Sequence, residues 1–462
     1  MTARVLLAAL LVAAPLCACA VDERQDVRAW RDVIDRDVPA PASDYVPGRP
    51  LGLRRALEIA NAANESLAIR GEDYLQAIVA KDRAAAAFLP TVSLAPSYAR
   101  QPASHLGNGS IDVSAFVPER ALDVPATAGL SVNPLREIDA QDAATATAAA
   151  RRAELLDFRS GLLVDVARTF YAVRIAERRA AVLGDAIRTA DARVRDLETN
   201  LSVGTAAPLA VARAKADAAK ARAGLIDARN SAARGRTTLA FLVGLPAIEG
   251  ELGDDLAPPE PTPAPEEFLG AAREHRQDLR AALARTRAAE AGLQAAFAEY
   301  FPTVSLDFTY FFERESFPPD VDWRGVLGVQ LPIFGAGRIR NDIRAAYSRL
   351  RQAKAAESLL ARRIDADVRN AWRDYDDSAL RRETLLERVR EAEEARRTSA
   401  AALENGLATD LDVRVTEDDL REARLTLATE QLAGKLRWLL LLRSAGELES
   451  RLFETSNPKA PQ

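Results

Sequence analysis

The chain has 462 residues, a formal net charge of −5, 6% aromatic residues and 28% charged residues. The acidic balance excludes the basic surface typical of nucleic-acid binding. Few aromatics with many charges are more typical of long solvated helices than of a thick globular core, and the length allows two or three compact domains or one elongated one.

The N-terminus has the pattern of an export signal. Arg4 precedes an apolar run over residues 5–16, and this run is too short to span a bilayer as a helix. Residues 16–19, Leu-Cys-Ala-Cys, are similar to a bacterial lipobox, which implies cleavage before Cys19 and acylation of its thiol. The alternative is a plain signal peptide with incidental cysteines. Cleavage here would leave one cysteine and no intramolecular disulfide.

A five-residue phrase occurs twice and indicates an internal duplication. Pro-Thr-Val-Ser-Leu spans residues 90–94 and 302–306, a spacing of 302 − 90 = 212, and residues 64–94 align with 276–306 without a gap. Each copy predicts an Ala-rich helix that ends before the proline, which cannot continue a helix. A repeat of this kind governs the fold prediction.

Strand alternation follows each phrase and predicts two hairpins. The apolar positions of the first strands are Val92, Leu94 and Tyr98 in one copy, and Val304, Leu306, Phe308, Tyr310 and Phe312 in the other. Second strands are predicted around residues 130–132 and 327–331, each before a proline, Pro134 or Pro332. The prolines are 134 − 90 = 44 residues apart in the first copy and 332 − 302 = 30 in the second, so the first hairpin is longer.

Two long helices are predicted after the hairpins. Residues 338–405 contain neither Gly nor Pro, and residues 135–203 contain no Pro and only two Gly. A helix of about 65 to 70 residues is about 100 Å long. A run far beyond 25 residues predicts a coiled-coil or helical-tube assembly.

Each long helix is predicted to end in a tight turn and to be followed by a returning helix. The turns are Val203-Gly204-Thr205 and Asn405-Gly406-Leu407, at an offset of 406 − 204 = 202. Their glycines can end a helix in the left-handed conformation, and Pro208 suits a first helical turn. The returning helices are predicted to end near residues 243 and 442.

The predicted order of segments follows from this repeat. It is a signal peptide (1–18), a lipidated N-terminal segment (19–50), a first repeat (51–250), a Pro-rich linker (251–266), a second repeat (267–446) and a C-terminal tail (447–462). Four strands per chain are too few for a closed membrane barrel, since the smallest have eight. Three chains would supply twelve strands and a ring of twelve helices.

At this point the chain resembles the TolC-like outer membrane efflux protein family. The resemblance rests on the duplicated plan, the Pro-Thr-Val-Ser-Leu strand entries, and residues 331–338, Leu-Pro-Ile-Phe-Gly-Ala-Gly-Arg, which are similar to that family's Pro-x-Phe-x-x-Gly-Arg signature. It implies a mainly α fold with a small β part, in which a homotrimer forms a 12-stranded outer-membrane β-barrel on a 12-helix periplasmic α-barrel. It also implies a periplasmic adaptor, an inner-membrane pump of the RND or ABC type, and outer-membrane lipid as partners.

The resemblance assigns two candidate sites. Val203-Gly204-Thr205 and, with a less matching sequence, Asn405-Gly406-Leu407 correspond to adaptor-docking tips; ordinary helix C-caps are the alternative. Asp410 and Asp412 correspond to acidic residues that narrow the periplasmic aperture. Thr409 with Asp412 is also a capping-box pattern, and the two roles can coexist. The family's further acidic position is Val415 here, which predicts a less acidic aperture unless Glu417 or Asp418 contributes.

No enzyme motif is present in the sequence. His105 and His275 have no Cys or carboxylate partner at metal spacing, and no phosphate-binding Gly loop or nucleophile motif occurs. We therefore predict no catalytic residue, metal or cofactor. The resemblance to the efflux protein family implies an exit duct for passive transport in a tripartite efflux or type I secretion system. The alternative is a lipid-anchored periplasmic coiled-coil scaffold without a pore. An adaptor protein, which would lack the repeated strand hairpins, is a third and weaker alternative.

Overall fold

The computed structural model describes residues 21–39, 45–46, 48–102, 105–106, 111–112, 118–254, 256–258 and 263–453. The predicted signal peptide, Cys19, the middle of the Pro-rich linker and the last nine residues lie outside these ranges. The helices are α1 (Glu23–Ile34), α2 (Leu53–Ala63), α3 (Glu65–Ala86), α4 (Pro134–Ser202), α5 (Pro208–Val243), α6 (Pro265–His275), α7 (Gln277–Ala298), α8 (Arg338–Glu404), α9 (Asp410–Ala445) and α10 (Leu448–Phe453).

The described strands range from two to thirteen residues in length. They are β1 (Leu51–Gly52), β2 (Thr91–Leu94), β3 (Ser97–Arg100), β4 (His105–Leu106), β5 (Ile111–Asp112), β6 (Arg120–Val132), β7 (Leu252–Gly253), β8 (Thr303–Arg314) and β9 (Trp323–Gln330). The chain divides into two compact units, and the division falls within both long helices, after Ala153 and after Ser358. Of the described residues, the first unit contains 21–30, 72–153 and 280–358, and the second contains 31–71, 154–279 and 359–453.

Both long helices are confirmed to within one residue of their predicted ends. α4 covers Pro134–Ser202 and α8 covers Arg338–Glu404. Of the returning helices, α5 ends at the predicted residue, whereas α9 continues three residues beyond it, to Ala445. The long runs without breakers therefore indicated the helices correctly.

The helix before each Pro-Thr-Val-Ser-Leu phrase has a break that the sequence analysis missed. Asn64 separates α2 from α3 and Arg276 separates α6 from α7, and both have extended backbone, with ψ of 120° and 122°. The two breaks are 276 − 64 = 212 residues apart, the offset of the repeated phrase. The Asn64 side chain accepts a hydrogen bond from the Leu67 amide and donates one to the Leu242 carbonyl, at 3.1 and 2.8 Å.

Each returning helix of the second unit ends against the break of its own repeat. Gly244 caps α5 and Gly446 caps α9, both with positive φ, 79° and 73°. A Cβ on Gly244 would lie 2.8 Å from the Ala63 carbonyl oxygen, and one on Gly446 would lie 2.8 Å from the Arg276 backbone nitrogen. Backbone conformation and close approach therefore both require glycine.

The first unit contains a five-stranded antiparallel sheet. Its strand order is β2-β6-β8-β9, with β3 also paired to β6. The prediction of one continuous first strand through Val92, Leu94 and Tyr98 is wrong: β2 and β3 are separated at Ala95 and Pro96. Proline has no backbone N–H for the ladder, so pairing stops there.

Buried contacts fix the helix ends below this sheet. Asn133, which is 3% exposed, donates to the carbonyls of Ala298 and Phe301 at 2.8 and 3.2 Å and accepts from the Arg136 amide at 3.2 Å. It therefore satisfies orphan groups at the end of α7 and at the start of α4. The apolar cluster between α7 and α8 comprises Leu293, Ile339, Ile343 and Ala346, with Ala296, Phe297 and Leu350 against it.

A buried arginine joins three parts of the second unit. Arg159 of α4, with 4% side-chain exposure, donates to the Ile34 carbonyl at 2.7 Å and to the Asp37 carboxylate at 3.2 Å. Its Nε lies 3.5 Å from an oxygen of Glu449 in α10. The N-terminal segment, α4 and the C-terminal helix therefore share one charged contact.

The connection between the repeats is also held by charge in the second unit. The Asp254 side chain, 3% exposed, accepts hydrogen bonds from the Tyr171 hydroxyl and the Lys435 ammonium at 3.2 and 2.9 Å. Arg174 lies 3.7 Å from the same carboxylate. The segment after β7 is thereby tied to α4 of one repeat and α9 of the other.

Candidate functional site

The two helix turns of the second unit share one backbone geometry. In the first, Gly204 has φ of 79° and the Thr205 amide donates to the Asn200 carbonyl at 2.8 Å. In the second, Gly406 has φ of 71° and the Leu407 amide donates to the Ala402 carbonyl at 2.8 Å. Each donor and acceptor pair is offset by 202, so the repeat extends to individual hydrogen bonds. The left-handed glycines are confirmed as helix caps.

The turns differ in the side chains that they present. Val203 is 67% exposed in the first turn and Leu407 is 84% exposed in the second. Leu209 and Leu411, each the second residue of its returning helix, are also exposed. Each turn therefore displays two apolar side chains on a hydrogen-bonded backbone, and exposed apolar groups are a feature of surfaces that bind other proteins.

Thr409 and Asp412 form the capping box that the sequence pattern predicted. The Asp412 amide donates to the Thr409 hydroxyl at 3.3 Å, and the Asp412 carboxylate accepts from the Thr409 amide at 2.8 Å and from its hydroxyl at 2.6 Å. The Thr409 side-chain and backbone hydrogen bonds lower the pKa of Asp412. The carboxylate is exposed and ionised at neutral pH, so capping leaves its charge available to the surroundings.

Asp410 has a partner that the sequence analysis did not find. Its carboxylate forms an ion pair with Arg193 of α4, and its backbone carbonyl accepts from the same guanidinium at 3.2 Å. Burial, followed by the nearby Arg414 charge, lowers the pKa of Arg193. Arg414 of α9 in turn contacts Asp217 of α5 at 3.0 Å. Helix α9 is therefore paired to both helices of the first repeat, and Asp410 is partly neutralised within one chain.

Three positions that follow Asp412 on α9 are either uncharged or paired with an arginine. Val415 is 52% exposed and carries no charge. Glu417 lies 4.0 Å from Arg396 of α8, and Asp418 forms an ion pair with Arg421. Among the described residues, the Asp412 carboxylate therefore accepts its hydrogen bonds from neutral groups, whereas Glu417 and Asp418 lie beside arginines.

The sheet of the first unit has two exposed faces of opposite character. On one face, Phe308 stacks on Trp323 with ring centroids 5.9 Å apart, and Tyr310 packs edge-on to Phe312 at 5.2 Å. On the other, Thr127 and Thr309 share a hydrogen bond of 3.3 Å. The register sets further polar or small residues beside these threonines: Thr91, Ser93, Gly129, Ser131, Ser305 and Gly328. The predicted alternation of β8 is thus confirmed.

Two further observations concern membrane crossing and metal binding. Among the described residues, no helix combines the length and the apolar composition that crossing a bilayer requires. The same residues contain no group of three or more His, Cys, Asp or Glu side chains arranged to hold a metal ion. His275 ends α6 beside the close approach of Gly446, and His105 lies in β4.

The chain is similar to outer-membrane efflux proteins in sequence. Residues 268–447 match the family model described as outer membrane efflux protein. The probable outer membrane lipoprotein SilC of Salmonella typhimurium is 20% identical over 241 residues, which are 49% of this chain and 49% of SilC. The match therefore spans about half the length of this curated relative.

Solved outer-membrane channels share the fold. The outer-membrane channel OprN is 19% identical, with a TM-score of 0.74 over 89% of this chain and 95% of that one. VceC of Vibrio cholerae is 22% identical, with a TM-score of 0.74 over 85% and 96%. The open-state MtrE channel of Neisseria gonorrhoeae is 22% identical, with a TM-score of 0.71 over 88% and 94%.

Proposed function

We propose that this chain is a passive channel-tunnel of the outer membrane. Residues 268–447 match the outer membrane efflux protein family, and the fold is that of TolC-like outer-membrane channels. The chain serves as the exit duct of a tripartite efflux or type I secretion system. Substrates pass through it from the periplasm or from a pump to the outside, and the chain itself catalyses no reaction. Acylation of Cys19 anchors its N-terminus in the same membrane.

The sheet is the single observation that carries this proposal. Both of its faces are exposed in one chain, one aromatic and one polar, which suits a wall with lipid on one side and water on the other. Among the described residues, β9 pairs only with β8, while β2 and β3 pair only with β6, so the sheet has two unpaired edges. Unpaired backbone groups are too costly in hydrocarbon. A second copy beside each edge removes that cost.

A homotrimer follows from the number of strand positions. Because β2 and β3 lie successively along β6, the five strands occupy four positions across the sheet. Three copies give a closed sheet of twelve positions, wide enough to hold a water-filled lumen. The helix pairs α4–α5 and α8–α9 contribute four helices per chain, or twelve in the trimer.

The helix turns are the proposed adaptor-docking tips. Val203, Gly204 and Thr205 form the preferred tip, and Asn405, Gly406 and Leu407 form the second. Support comes from the hydrogen-bonded glycine caps and the exposed apolar side chains. A photo-cross-linking residue at Val203 should give an adduct with a periplasmic adaptor identified by mass spectrometry, whereas one at Ile226, which is 61% exposed on α5, should not. Adducts at both positions, or at neither, contradict this assignment.

Asp410 and Asp412 are the proposed aperture residues, and they contribute unequally to the negative charge of the aperture. The Asp410 charge is offset by Arg193, so Asp412 supplies most of the negative potential at the entrance. Three copies around a narrow axis favour cations there. An inner-membrane pump of the RND or ABC type is the further proposed partner.

One experiment separates this function from its main alternative, a coiled-coil scaffold without a pore. The purified protein is examined for oligomeric mass in detergent and for conductance in planar lipid bilayers. The channel-tunnel is expected to be trimeric and to give discrete conductance steps. A monomer or dimer that gives no conductance supports the scaffold and overturns the proposal.

A further inference from the structure

A charged residue lies on the polar face of the sheet. Asp307 is in the middle of β8, opposite Gly129 of β6 and Val326 of β9. It points to the same face as Ser305 and Thr309, because side chains two residues apart share a face. Its side chain is exposed. A carboxylate in this position is surrounded by neutral neighbours on its own strand and on both adjacent strands.

The neighbouring strand leaves space for this carboxylate. A Cβ on Gly129 would lie 3.2 Å from an Asp307 carboxylate oxygen. A larger residue at position 129 would crowd the carboxylate, so the glycine lets it lie over β6. Such a close approach is one of the reasons for glycine inside a strand.

A second charge lies farther along the same face. Arg324 of β9 is opposite Thr309, two residues from the Asp307 row and nearer the β8–β9 turn. At 3.3 Å per residue the two rows are about 7 Å apart. Across the described strands, the part of the polar face from the level of Thr303 to the level of Thr309 contains two charged residues. They are Asp307 and Arg324. Neither has an ion-pair partner among the described residues.

We infer that Asp307 determines the ion preference of the lumen of the sheet. The inference rests on the proposed function, because threefold repetition turns Asp307 into a level of three carboxylates and Arg324 into a level of three guanidinium groups. The Asp307 side chain is short and held over Gly129, whereas Arg324 is one residue from the turn end of β9. The negative potential of the three Asp307 carboxylates therefore outweighs the positive potential of the three Arg324 groups, and the lumen prefers cations. Arg324 reduces this preference nearer the β8–β9 turn.

The expected size of the effect follows from Coulomb's law. For three charges about 10 Å from the axis in water, Asp307→Asn should lower the cation-to-anion permeability ratio about fivefold at 0.1 M salt and about twentyfold at 0.01 M. The potential attracts cations and repels anions by the same factor, and the Debye length increases from about 10 to 30 Å. Arg324→Gln should raise the ratio. Asp307→Glu keeps the charge and should resemble the wild type.

Reversal potentials of single channels under a salt gradient test the inference. Asp320→Asn is the matched control, because it removes the same charge from the exposed β8–β9 turn, and we expect no change in the ratio. Trimer formation by each variant is checked first, and Asp307→Glu supplies a second comparison for the site. An unchanged ratio in a conducting Asp307→Asn channel, or an equal change in Asp320→Asn, overturns the inference alone. A wild-type protein that does not conduct overturns the proposed function as well.

Discussion

Replacing Arg159 by Met should release both the N-terminal segment and the C-terminal helix of the second unit. Methionine keeps most of the length of the side chain but removes the guanidinium group. The Ile34 carbonyl then loses a 2.7 Å hydrogen bond, Asp37 loses its partner at 3.2 Å, and Glu449 loses the cation 3.5 Å away. Burial already raises the pKa of Glu449, and Arg159 opposes that rise.

The size of the effect comes from the groups left behind. Breaking a buried ion pair by removing one partner costs about 3–5 kcal/mol, because the other charge stays buried without compensation. At about 1.4 kcal/mol per factor of ten, local protection against hydrogen exchange should fall about 10²- to 4 × 10³-fold. Removing both charges should cost less than the sum of the single changes, so Arg159→Met with Glu449→Gln should recover part of the loss.

Hydrogen exchange followed by mass spectrometry measures this directly. Peptides covering residues 31–38 and 448–453 should exchange faster in the Arg159→Met protein, while peptides of the sheet should not change. Arg168→Met is the control on the same helix, since Arg168 is 54% exposed and pairs with an equally exposed Asp165. Surface pairs of this kind contribute about 0–1 kcal/mol. A change below tenfold in Arg159→Met, or an equal change in both variants, would refute the reasoning.

Three further predictions follow from contacts described above. Gly244→Ala should lower the melting temperature, because φ at this position is 79° and the new Cβ would meet the Ala63 carbonyl oxygen. Gly184→Ala in α4 is the control, since a Cβ there would have no neighbouring atom within 4 Å. It should be neutral or stabilise by about 0.5–1 kcal/mol. Asp412→Ala should reduce cation block and alter conductance in single channels, and unchanged values would leave this residue as a cap alone. Burial raises the pKa of Asp35, Asp157 and Glu449, so their contribution to stability is full below about pH 4 and is lost as the pH rises through the raised values. Thermal melts should show this slope, and Glu449→Gln should flatten it, whereas an equal slope in that variant would contradict the assignment.

The elements that the sequence predicted correctly are those with a local cause. Long segments without Gly or Pro gave α4 and α8, Gly204 and Gly406 gave the turns, and period-two alternation gave β8. Thr409 and Asp412 are three residues apart, so their capping box was also visible in the sequence. In each case the physical cause lies within the element itself or at its end.

The features that the sequence did not reveal depend on groups far apart in the chain. Asn64, which lies at one of the helix breaks, donates a side-chain hydrogen bond to a carbonyl 178 residues later. Arg193 and Asp410 are 217 residues apart, and their pairing follows from how α9 packs in the second unit. No spacing rule indicates such partners. Comparing the two copies would have helped with the breaks, since Asn64 and Arg276 share the 212-residue offset of the repeated phrase.

The contacts at Gly244 and Gly446 also bear on how a chain of this kind can be assembled from halves. In each copy, the end of the returning helix meets the first helix where that helix breaks, so the beginning and end of one copy are neighbours in space. Each copy therefore fixes its own two ends, and a second copy can follow in tandem without changing these contacts. Expressed separately, the halves should therefore be able to associate in trans.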